Sequence, residues 1–215
     1  MPLLNPSTIH LYRAGSGIPV VLLHGIGLTR GMWDGVAVLA DQFELLSYDL
    51  PGHGETVSPD SAYEIDDLSE QLAAVLTVSG IERAHIVGSS LGGMVAQHFA
   101  ATWPERVARL VLCDTTPALS EGLRDEILPK PDYGLARAAM ARADLMDLAE
   151  EIFASTLVIC ADSADGAMRE GADFLARSIL NGQLAFAPGA DANAVTERPD
   201  WVVRVLRDFL GQSRD

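Results

Sequence analysis

The 215-residue chain is predicted to fold as an α/β protein. Two patterns support this. Short apolar runs bounded by turn residues alternate with longer stretches of helical period, which is the mark of parallel strands joined by crossover helices. A Gly-rich turn also sits between one such run and a helical stretch, at Gly88-Ser89-Ser90-Leu91-Gly92-Gly93. The composition agrees, with 48% hydrophobic and 21% charged residues, as expected of a chain that buries a core rather than staying disordered. The length suits one domain over residues 1–215.

In chain order, strands are expected at Ile9 to Arg13, Val20 to His24, Phe43 to Tyr48, Ala84 to Val87, Val107 to Cys113, Leu157 to Cys160 and Gln183 to Phe186. Helices are expected at Trp33 to Ala40, Ile65 to Ser79, Leu91 to Thr102, Met168 to Leu180 and Trp201 to Leu210. The link from Ala14 to Pro19 is too short for a crossover helix, so the first two strands are expected to pair as an antiparallel hairpin. That makes the sheet mixed at its amino-terminal edge. From Thr115 to Ser155 three prolines, Pro117, Pro129 and Pro131, interrupt the pattern, and only Leu135 to Phe153 reads as helical. This insertion is either a plain connection or a small lid over the carboxyl ends of the strands, where open α/β sheets bind ligands.

A net charge of −15 with a single lysine, Lys130, argues against nucleic acid or an anionic membrane as partner, because phosphate binding needs clustered Lys and Arg. Residues 1 to 10 lack a basic and then apolar leader, and no apolar run approaches the ~20 residues of a membrane helix. A cytoplasmic location is the resulting expectation. Cys113 and Cys160 each end an apolar run and are expected to be buried free thiols.

The turn at Gly88 to Gly93 has the G-x-S-x-G form in its required strand-turn-helix context. There the glycines make room for a strained turn that lifts Ser90 above the sheet, and the Leu91 N–H points at an oxyanion forming on a substrate. His24-Gly25-Ile26-Gly27 follows the second strand, and its turn can present a second donor, the Ile26 N–H. His24 and His53 read as residues that brace their own turns, and His10, His85 and His98 as packing or surface residues.

These motifs, HGIG, PGHG, GSSLGG, LVLCD, TLVICAD and TERPDWVVRVLRDFL, occur in an order that resembles the alpha/beta-hydrolase family along the whole chain. The resemblance is to its small esterase and lactonase branch, which includes 3-oxoadipate enol-lactonase. It implies a mostly parallel sheet with helices on both faces, and beside the longer lids of the resembled family the insertion at about 115–155 would be a shortened lid. It further implies a serine hydrolase acting on a small ester or lactone, with Ser90 as nucleophile, Ile26 and Leu91 as oxyanion donors, and no cofactor or metal.

The resemblance fails at two positions. The family's base stands in a Gly-x-x-His segment just before a Glu-Arg-Pro signature, and here the matching residue, before Glu197-Arg198-Pro199, is Ala192. No histidine follows His98. The family's acid, in a Gly-Asp-x-Asp segment after the strand at Leu157 to Cys160, would fall on Ala164, so Asp165 is taken by a one-residue shift, with Asp162 and Asp114 as alternatives. Loss of a triad histidine costs on the order of 10^6 in turnover, while ~10^3 to 10^4 over water persists from the oxyanion hole and binding. The expectation is an impaired hydrolase of esters or lactones. The alternative is a non-hydrolytic protein of the same fold that binds a small ligand or a partner.

Overall fold

In a computed structural model of the chain, residues 9–212 are described. Residues 1–8, on which most of the amino-terminal leader reading rests, and residues 213–215 lie outside them. Seven strands form one sheet: β1 (Tyr12–Gly15), β2 (Ile18–Leu23), β3 (Phe43–Ser47), β4 (Ala84–Ser89), β5 (Val107–Cys113), β6 (Thr156–Ala161) and β7 (Gly182–Ala187). Their order is β1-β3-β2-β4-β5-β6-β7, with every pairing parallel except β1 with β3.

The mixed edge is therefore present, but the expected β1–β2 hairpin is not. Gly15 pairs with Glu44 and Ile18 with Phe43, so the three-residue step from Gly15 to Ile18 passes under the start of β3 and leaves the two strands on either side of it. Two strand spacings are about 9.6 Å, and three extended residues reach about 10 Å. The positive φ of Gly15 (80°) and Gly17 (118°) lets the backbone make that step beneath Ala40 and Gln42, where a Cβ would collide with carbonyl oxygens.

Strand alternation sorts the core into two layers. Val21, Leu23, Leu46 and Ile86 face α1 (Ile65–Val78) and α2 (Leu91–Thr102). Val20, Leu22, Leu45 and Val87 face a 3₁₀ helix, Arg30–Asp41, and the carboxyl-terminal residues Val202, Leu206 and Phe209. The helix expected at Trp33 to Ala40 is thus present as a longer 3₁₀ helix, capped by the Thr29 hydroxyl on Gly31 N–H.

The segment from Thr115 to Ser155 departs from expectation. It contains α3 (Glu121–Ile127), capped by Ser120, then α4 (Gly134–Arg142), and the helix foreseen at Leu135 to Phe153 stops at Arg142. The cause is tertiary: Ala118 bridges Asp144, and Leu145 N–H donates to Pro117 O, which pulls the chain out of the helical path. A short 3₁₀ turn, Asp147–Glu151, follows. The remaining helices are α5 (Gly166–Ser178), α6 (Ala194–Glu197) and α7 (Pro199–Leu210). Among the described residues no helix is long and apolar enough to cross a membrane. Cys113 and Cys160 are buried and unbridged.

Candidate active site

Ser90 sits between the end of β4 and the first turn of α2 with φ 49° and ψ −114°, a conformation that few side chains tolerate. The neighbouring glycines make this turn possible. A Cβ on Gly88 would lie 2.2 Å from Gly92 O, and one on Gly92 would lie 2.3 Å from Leu23 O. Two bonds to the next strand hold the turn: Ser90 N–H donates to Cys113 O at 3.0 Å, and the Thr115 hydroxyl donates to Ser90 O at 2.8 Å. The Thr115 brace was not foreseen from sequence, since a threonine past a strand end carries no signal of what it reaches.

The chain after β2 runs over this serine, and a Cβ on Gly25 would lie 3.2 Å from Ser90 Cβ. Ile26, with Gly27, forms the tip of that turn. Leu91 is the first residue of α2, so its N–H has no partner within the helix. Neighbouring donors are spent otherwise: Gly92 N–H on His24 O at 3.1 Å, and Gly27 N–H on His53 Nε2 at 3.2 Å. The helix dipole adds to the positive potential at Leu91.

Two imidazoles fasten this turn to the one after β3. His24 Nε2 accepts Leu50 N–H at 2.8 Å and its Nδ1 donates to Gly25 O at 2.9 Å. His53 Nε2 accepts Gly27 N–H, and its Nδ1 donates to Pro51 O at 3.0 Å. These bonds fix one tautomer for each ring and occupy both Nε2 lone pairs. Burial holds the His24 pKa down at about 4 and also lowers that of His53. Tyr133, itself at φ 61°, stacks on His53 with centroids 4.4 Å apart and closes this end of the site from the Thr115–Ser155 segment. Beside it lies a cavity of about 370 Å³ lined by Pro51, Ser58, Tyr63 and Leu135.

The three acid candidates differ in position. Asp114, at φ 46°, is 4% exposed and follows the residue whose carbonyl holds Ser90. Its Oδ1 accepts Ala161 N–H and its Oδ2 accepts Ala194 N–H, each at 2.8 Å. Burial raises its pKa to about 6, against the lowering effect of those two bonds, and the nearby charge of Glu197 adds to the rise. Asp162 Oδ2 accepts Gly189 N–H at 3.3 Å. The Asp165 carboxylate is the N-cap of α5, accepting Met168 N–H at 2.8 Å, and makes no hydrogen bond to the 189–194 loop.

Ala192 is exposed, in a loop gathered by one side chain: the Glu197 carboxylate accepts the N–H groups of Asp191, Ala192 and Asn193 at 2.6, 3.1 and 2.8 Å. Those bonds lower the Glu197 pKa. The sequence marked Glu197 only as part of a signature, and standing four residues after Asn193 rather than three it does not have capping-box spacing. Thus Ser90, the Ile26 turn, Asp114, Asp162 and the Ala192 loop form one connected neighbourhood at the carboxyl ends of the strands, and Asp165 is not joined to it by any hydrogen bond.

Residues 18–148 match a family profile described as alpha/beta hydrolase fold. A pimeloyl-[acyl-carrier protein] methyl ester esterase from Aeromonas salmonicida is 38% identical over 128 residues, which is 57% of this chain and 48% of that protein. A hydrolase structure from Pseudomonas aeruginosa PA01 superposes with TM-score 0.85 at 25% identity, covering 95% of this chain and 94% of that one. The enol-lactonase structure from Burkholderia xenovorans LB400 superposes with TM-score 0.83 at 24% identity, over 95% of this chain and 96% of that one, a likeness of fold. The matched regions span between 34% and 49% of the curated relatives' own lengths.

Proposed function

The chain belongs to the alpha/beta hydrolase fold family, and from that membership we propose that it is a serine hydrolase of small carboxylic esters or lactones, slowed by the alanine at position 192. The observation that carries this reading is the strained Ser90, held at the mouth of α2 directly beneath the Gly25–Ile26 backbone. Ser90 Oγ attacks the acyl carbonyl, the N–H groups of Ile26 and Leu91 take the charge that develops on its oxygen, and the alcohol leaves as the acyl–Ser90 bond forms. Water then releases the acid and returns the serine.

No imidazole reaches this step. His24 and His53 have both ring nitrogens engaged with backbone, so the serine proton passes to solvent and the rate depends on an activated leaving group. Among the carboxylates we assign Asp114 the supporting role, because it alone is tied both to the strand that holds Ser90 and to the Ala194 end of the loop bearing Ala192. A lack of nucleic-acid and anionic-membrane partners is expected from the acidic composition, and a cytoplasmic setting is part of the same proposal. The same spent imidazoles favour a second reading, a ligand-binding protein of this fold without turnover.

The test is turnover of p-nitrophenyl acetate by the chain, by Ser90→Ala and by Ala192→His, with phosphonate labelling of Ser90 alongside. A loss of rate and label in Ser90→Ala, with a gain of about 10^2 or more in Ala192→His, is expected. Equal rates in all three proteins, with no labelling, would overturn the serine-hydrolase reading and turn the search to ligands and partners.

A further inference from the structure

Three non-glycine residues among the described ones have positive φ: Ser90 and Asp114, both at the site already described, and Tyr133, at φ 61° and ψ 34°. A left-handed tyrosine is strained, and such strain persists only where surrounding contacts hold it. The next residue, Gly134, could take a left-handed step without strain, yet it is the first residue of α4, and nothing lies within 4 Å of where its Cβ would be. The step falls on Tyr133 instead, whose ring is engaged by the site.

That ring lies 12° from parallel with the His53 imidazole, with centroids 4.4 Å apart, and its Cε2 is 3.6 Å from where a Cβ on Gly27 would be. It therefore lies against both partners of the bond in which His53 Nε2 accepts Gly27 N–H at 3.2 Å. Two hydrogen bonds hold the imidazole by its nitrogens, to Gly27 and to Pro51, and neither resists tilting of the ring about the line that joins them. A stacked ring does resist it. The His24 ring, 5.0 Å away but inclined at 59°, offers no parallel face.

We propose that Tyr133 is a positioning residue for the oxyanion site: by pinning the plane of His53 it fixes Gly27 N–H and, with it, the adjoining Ile26 N–H, an inference that rests on the serine-hydrolase reading of Ser90. Tyr133 meets no reacting atom and acts only through His53. The Thr115–Ser155 segment thereby sets the oxyanion turn from outside the sheet. The other end of α4 is tied down as well, by Arg142 to Glu64 at 2.7 Å and to Tyr63 O at 3.0 Å, so the helix holds Tyr133 against the turn.

The test compares Tyr133→Phe, Tyr133→Asn and Tyr133→Leu in the full chain, each shown to be folded by circular dichroism. Phe keeps the stack. Asn removes the ring while tolerating the left-handed backbone, and Leu keeps apolar bulk without a flat face. Two readouts are independent of Ser90 chemistry, namely hydrogen exchange at the Gly27 amide and titration of His53 by NMR. Loss of the ring in Asn and Leu is expected to speed Gly27 exchange about tenfold. It is also expected to raise the His53 pKa toward the ordinary 6.5. Burial is the largest cause of its lowering, Arg137 of α4 adds to that lowering, and Asp49 opposes it. The third readout, phosphonate labelling of Ser90, is expected to slow about tenfold in Asn and Leu and to be restored in Phe.

An unmodified chain that takes no label would overturn the hydrolase reading, whereas faster Gly27 exchange in its Asn and Leu variants would still uphold the link from Tyr133 through His53 to Gly27. Unchanged Gly27 exchange in either folded variant would overturn the inference. So would labelling that slows as much in Phe as in Asn, or labelling at the unmodified rate in a variant whose Gly27 exchange has quickened.

Discussion

The carboxylate of Asp114 accepts the Ala194 N–H at 2.8 Å across eighty positions of sequence, and its other oxygen accepts Ala161 N–H at the same distance. One buried side chain thereby joins the ends of β5 and β6 to the loop that carries Ala192. Asp114→Ala strands both donors and places an alanine at φ 46°. A loss of about 3 kcal/mol in urea unfolding is expected. Asn, which keeps an acceptor and tolerates the left-handed region, is expected to cost less.

His85 is 4% exposed with neither ring nitrogen bonded, and burial, aided by the charge of Arg109, holds its pKa down at about 4. The unfolded chain takes up that proton as pH falls below 6.5, so the stability due to neutral His85 is lost between 6.5 and 4, and His24 behaves alike. Asp114 acts in the opposite sense. Its folded pKa is raised, so the stability from its neutral form is present at low pH and is lost as pH rises toward 6. Four lowered imidazoles, His53 and His98 included, against this one carboxyl make stability rise with pH over this interval. His85→Leu is expected to flatten the rise, with a gain near pH 5 of about 2 kcal/mol relative to its effect at pH 7, read from urea midpoints at both values.

Thr115→Val removes the hydroxyl that holds Ser90 O while keeping the side chain's shape. Its stability cost is expected to be about 1 kcal/mol. Phosphonate labelling of Ser90 should slow several-fold while the circular dichroism spectrum is unchanged. An unchanged labelling rate would show that the turn keeps its form without this brace.

Gly92→Ala drives a Cβ to 2.3 Å from Leu23 O and 2.7 Å from His24 O, both backbone atoms of the neighbouring strand end. The expected loss is about 3 kcal/mol in thermal or urea unfolding, together with loss of Ser90 labelling, because β2 and α2 must move apart.

The turn at Ser90 was legible because its cause is local: an apolar strand, two glycines that admit close backbone, and an apolar helix follow one another within twenty residues. The pairing of β1 was not, since the short link allows either a hairpin or a step beneath β3, and only the arrival of Phe43–Ser47 decides between them. The surroundings of the acid candidates were not legible for a related reason. Asp165 fits by spacing, but spacing is blind to the local demand of α5 for a cap, which takes its carboxylate. The partners of Asp114 are backbone N–H groups 47 and 80 positions away, and no residue type announces them. The break after Arg142 likewise comes from the Ala118–Asp144 bridge rather than from any helix-breaking residue.

The step of the chain beneath β3 also sets an order of assembly. Residues Tyr12–Gly15 have their partner not in the strand that follows them but in Phe43–Ser47, thirty-odd positions on, so during synthesis they leave the ribosome with nothing to pair against. The amino-terminal edge of the sheet is therefore sealed late, after the Arg30–Asp41 helix has been made and folded back. A variant that delays β3, by proline at Leu45 for example, would leave the β3-facing edge of β2 bare and recruit other nascent chains to it.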